Sequence, residues 1–65
     1  MSEEKLDKIK EVVLSTDKIS EEEKSLSVKK IEEWYIEDQG MTLLLEQLNS
    51  ISKEIMPVLK EMGLL

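Results

Sequence analysis

The chain of 65 residues has no cysteine, histidine, arginine or phenylalanine, and only two glycines and one proline. Each absence closes off a class of chemistry. Without cysteine there is no disulfide framework and no thiol nucleophile, and without histidine as well there is no zinc centre of the ordinary kind. The same two gaps exclude Ser-His-Asp and Cys-His arrangements and the Glu-x-x-His ligand pairs of di-iron bundles. Lack of arginine removes the planar fork that reads guanine edges and phosphates bidentately. Two glycines cannot build a phosphate-cradling loop, and no G-x-x-x-x-G-K-[ST] occurs. The stretch DKISEEEK does not fit the Ca²⁺-loop pattern D-x-[DN]-x-[DN]-G. Carboxylate neighbours at Glu21–Glu23, Glu32–Glu33 and Glu37–Asp38 read as solvated helix surface, since acid–base work needs a desolvating pocket. The expectation is a protein that is not an enzyme and has no metal and no cofactor.

Long uncharged apolar runs are also missing. None reaches the roughly 18 residues of a membrane-spanning helix, and the opening MSEEKLDKIKE has no apolar core of the kind a signal peptide needs. The chain therefore reads as cytoplasmic, with no membrane contact. Its formal net charge of −6 opposes nucleic acid, where cationic side chains must displace counterions. A hydrophobic content of 40% suits a folded domain rather than a disordered one. A chain this short buries only about 60% of its unfolded surface, and one such core rarely supplies more than about 3–5 kcal/mol. Tight helix packing or a partner chain is the remaining reinforcement.

The patterning is helical throughout. A first helix over about 3–15 has Ser2 as its N-cap, and Leu6, Ile9 and Val13 make a narrow stripe with Val12 beside it. Ser20 followed by Glu23 is a capping box, which starts a second helix over about 21–38. On that helix Val28, Ile31 and Tyr35 share a face, with Trp34 and Ile36 at its edges. Leu26 falls on the opposite arc, either covering the end of the first helix or exposed as a contact residue. Gly40 suits the left-handed position that closes the second helix.

The third segment, MTLLLEQLNSISKEIMPVLKEMGLL, holds half of the chain's apolar residues. Thr42 is a candidate N-cap. Met41, Leu44, Leu48, Ile51, Ile55, Val58 and Met62 alternate at three and four, the seam of helix-on-helix packing. Leu45, Met56 and Leu59 widen the seam to roughly 160°. Pro57 lies opposite this arc, where water can satisfy the carbonyl it frees. The reading is a third helix over about 42–62, kinked but continuous and ended by Gly63. The competing reading breaks the helix at Ile55–Met56, with Pro57 as the first residue of a short terminal helix.

The expected fold is thus all-α: one domain over 1–65, a helical hairpin plus a short N-terminal helix in a three-helix bundle. A first helix of about 20 Å cannot cover a third of about 30 Å, so dimerisation would complete the core. Leu26, Trp34, Ile36, Leu43, Leu45, Met56, Leu64 and Leu65 are the candidate partner-binding residues. Tyr35 is the expected large core residue, and Trp34 is either a core-margin cover or an interface anchor. Function then reads as a small acidic protein–protein interaction module, acting as a regulator, inhibitor, adaptor or subunit on a partner with a basic patch. The alternative is a nucleic-acid-associated regulator, either a dimeric helical binder or an acidic mimic.

Overall fold

The computed structural model of the protein describes residues 3–65, which are helical with no strand. The expected Ser2 cap lies outside them. Four helices follow in order: α1 (Glu3–Ser15), α2 (Glu21–Ile36), α3 (Met41–Ile51) and α4 (Ile55–Glu61). α1 packs on α2, α2 on α3, α3 on α4, and α4 returns to α1. The ring encloses one apolar cluster fed by every helix: Leu6, Ile9 and Val13; Ile31 and Trp34; Leu44 and Leu48; Ile55 and Leu59.

α1 buries the stripe its sequence spacing indicates. Its C-terminal carbonyls have no basic residue in the last turn, so help comes from elsewhere. Lys24 of α2 reaches across and donates to the Leu14 carbonyl at 3.1 Å, placing a cation at the negative end of the helix dipole. The capping box opens α2 in full, Glu23 N–H donating to Ser20 Oγ at 3.1 Å and Ser20 N–H to Glu23 Oε1 at 2.9 Å. Ile19, just before that cap, is buried in the core. A hydrophobic staple would need an apolar residue four places into the helix, and that place holds Lys24, so no local signal marks Ile19 as core.

The buried face of α2 differs from the sequence expectation. Ser27, Ile31 and Trp34 point inward, while Val28 and Tyr35 lie at the margin, a rotation of roughly 65° on the helical projection. Two features explain it. Ser27 is small enough to let a neighbouring helix approach closely, and the Trp34 indole finds a partner inside, donating to the Gly40 carbonyl at 3.0 Å. A buried indole with its N–H satisfied puts more apolar area into the core than a tyrosine whose hydroxyl must stay near water.

α2 ends at Ile36 rather than near 38, and Gly40 does not close it. Glu37 is the extended C-cap, and Gly40 instead precedes α3 with φ 97° and ψ 152°, a conformation open only to glycine. Thr42 is inside α3 rather than its cap. Gly40 N–H donates to Asp38 Oδ1 at 2.8 Å, and its carbonyl receives both the indole and the Leu44 N–H. The connector is therefore pinned from both sides.

The long third helix does not form. The chain leaves the helix at Ser52, which is extended at φ −151°, ψ 130°, and restarts at Ile55. The break lies one turn upstream of Pro57, neither at the proline nor at Ile55–Met56. Proline in a helix interior costs about 3 kcal/mol, but in the first turn its missing N–H would have no intrahelical partner. Breaking at 52–54 puts Pro57 third in α4. Ser52 supplies the turn: its Oγ accepts from Glu54 N–H at 3.2 Å and its carbonyl from Ile55 N–H at 3.3 Å. α4 closes as a Schellman motif. Leu64 N–H bonds the Leu59 carbonyl at 2.9 Å and Gly63 N–H bonds that of Lys60 at 3.1 Å, with Gly63 at φ 73°.

Candidate interaction surface

The turn at Ser52 redistributes the apolar residues of the third segment. Leu44, Leu48, Ile55, Val58 and Leu59 are buried, Met41 and Ile51 half-buried, and Met62, expected in the seam, is 62% exposed. Its phase belonged to a continuous helix; α4 starts on a new axis, and Leu59 takes the central place. The stripe that seemed too long for the first helix is covered by folding α4 back onto α1.

Eight residues were expected to meet a partner, and they separate into distinct settings. Trp34 is excluded: it is 2% exposed and hydrogen-bonded inside the core, so no partner can use it as an anchor. Leu43 is half-buried against the core. Leu26 and Ile36 are exposed on the outer side of α2, Ile36 at 91%. They are about 80° apart around that helix, with Lys29 and Glu33 between them, so they form no common patch.

Three of the other four line two depressions. Leu45 and Met56 come together across the α3–α4 corner, where with Thr42, Glu46 and Asn49 they line a groove of about 420 Å³. Both apolar side chains are half-buried, which leaves an apolar floor open to solvent between polar walls. Leu64 joins Met62 at the C-terminal turn, where Lys8, Glu11, Val12 and Ser15 of α1 complete a groove of about 310 Å³. Leu65, 49% exposed, extends the chain from it. Met62 was missing from the expected set because a continuous helix would have buried it. Leu14, 51% exposed near the end of α1, was also absent.

On the remaining surface the α1–α2 seam is closed by polar side chains. The Tyr35 hydroxyl donates to the Asp7 carboxylate, Lys10 bonds Glu32 at 3.3 Å, and the Lys10 ammonium lies 6.0 Å from the Tyr35 ring centroid. The hydrogen bond to Asp7 pushes the Tyr35 phenol up to about 12, with partial burial and the charges of Asp7, Glu3 and Glu32 adding to it. This cluster joins two helices. Among the described residues no group of three or more acidic side chains converges to hold a metal ion, and no helix is long and apolar enough to cross a membrane.

Comparison with protein families, with curated proteins and with solved structures finds no match to the chain. The functional reading therefore rests on the surface itself.

Proposed function

We propose that the protein is a small acidic protein–protein interaction module, a non-catalytic regulator, inhibitor, adaptor or subunit that works in the cytoplasm. The observation that carries this reading is the α3–α4 groove, where the break at Ser52 leaves Leu45 and Met56 side by side and half-buried. An apolar floor with a polar rim suits a partner helix laying its apolar face inward. Methionine in the floor adapts to different side chains. The net charge of −6 and Glu46 on the rim favour a partner with a basic patch, with the charge acting mainly on association rate. Self-association into a dimer belongs to the same reading.

A lysine-rich amphipathic helical peptide is a direct probe. Titrated into isotopically labelled protein, it should shift the resonances of Leu45, Asn49 and Met56 while those of Leu14 and Leu26 stay in place. Leu45→Asp should remove those shifts with helicity unchanged. A peptide of equal charge with serine on its apolar face should not bind. Equal binding by both peptides, or binding indifferent to Leu45→Asp, would sink this assignment.

A further inference from the structure

We infer that the groove between α1 and the C-terminal turn is where two copies of this chain meet. The inference rests on the self-association proposed above and adds the face and its register. Lys8, Glu11, Val12 and Ser15 recur at i, i+3, i+4 and i+7, so α1 turns all four to one side, and the Schellman turn sets Met62 and Leu64 beside them. The apolar part comprises Val12 and Leu64, half-buried, with Met62 and Leu65 more open.

Charge complementarity selects the occupant. A two-fold contact presents the same patch to itself, so the patch must be self-complementary. Lys8 and Glu11 are opposite charges one helical turn apart on the contact side. When two α1 helices approach antiparallel about an axis between these positions, Lys8 of each copy meets Glu11 of the other. Glu11 has no ion pair within its own chain among the described residues. Lys8 has only Glu4, at 3.9 Å with both side chains exposed, a contact of little strength that exchanges easily. The α3–α4 groove fails the same criterion. Glu46 is its one charged lining residue, and a two-fold contact there would set Glu46 against Glu46. That groove suits a basic partner, and this one suits a second copy.

Sedimentation equilibrium over a concentration series, with helicity followed by circular dichroism, tests the assignment. The wild-type mass should rise toward twice the 7.5 kDa of one chain. Lys8→Glu and Glu11→Lys should each weaken the dimer by about tenfold, because each places like charges across both pairs. The double variant Lys8→Glu/Glu11→Lys restores opposite pairs and should return to within about threefold of wild type. Met62→Asp should leave a folded monomer. A wild-type chain that stays monomeric at millimolar concentration overturns self-association and this face together. A dimer insensitive to the single swaps, or not recovered by the double one, overturns this face alone.

Discussion

Tyr35 and Asp7 link α1 to α2 through one hydrogen bond, and that bond has a pH signature. The phenol stands at about 12 against an ordinary 10.0, so the folded chain holds this proton more tightly than the unfolded one. The stabilisation is fully present below about pH 10 and is lost as pH rises through about 12. A phenolate absorbance titration should show the raised midpoint. Asp7→Ala, which removes the acceptor and with it the largest cause, should bring it back toward the ordinary value. Ser27 makes the opposite point. It is fully buried and its Oγ has no hydrogen-bond partner, a cost of about 1–3 kcal/mol for a desolvated hydroxyl. Ser27→Ala keeps the small volume, removes the orphan and improves helix propensity. It should raise stability by about 1 kcal/mol in urea unfolding; a loss of that size would mean the hydroxyl is satisfied.

At the scale of elements, the break between α3 and α4 distinguishes two views of Pro57. In a kinked continuous helix, replacing the proline by alanine would restore a bond and relieve a clash, adding about 3 kcal/mol. In the first turn of α4 the same change should move stability by less than about 1 kcal/mol. Ser52→Ala should cost about 1 kcal/mol, because the hydroxyl holds the Glu54 N–H. Gly63→Ala should cost about 1–2 kcal/mol, since φ 73° places a side chain in the left-handed region. Thermal and urea midpoints on these three variants locate the break. A large gain for Pro57→Ala with no loss for Ser52→Ala would restore the continuous helix.

For the whole molecule, closing the ring decides how much a partner must contribute. A folded monomer of 7.5 kDa is expected to expose about 4,200 Å², and the chain exposes 4253 Å². The single chain thus exposes about as much surface as a monomer of its mass ordinarily does, so its burial does not call for a partner to complete a core. Association would act through the surface grooves, leaving folding and binding separable. Leu59, at 0% exposure in α4, belongs to the core cluster that α4 shares with α1. Leu59→Ala should cost about 2–5 kcal/mol and release α4 from α1, with new apolar surface seen as dye binding before global unfolding. If α4 instead remains docked and stability is unchanged, the ring does not depend on it.

The helical class, the buried stripe of α1, the capped start of α2 and the glycine stop after α4 were legible in the sequence alone. Each of these is local: apolar spacing, a reciprocal cap, a residue free to take positive φ. Which residues could reach solvent was decided only by the tertiary structure. Trp34 went inside because a carbonyl from a later connector stood ready for its indole. Tyr35 stayed at the margin because Asp7 on another helix received its hydroxyl. The break moved to Ser52 because α4 had to turn back onto α1 while Pro57 kept a first-turn position. Of the expected contact residues, Leu45 and Met56 became neighbours through that turn, and Met62 came to the surface by it. A periodic stripe records that residues share a face; where a helix ends, and what stands opposite it, sets whether that face is core or surface.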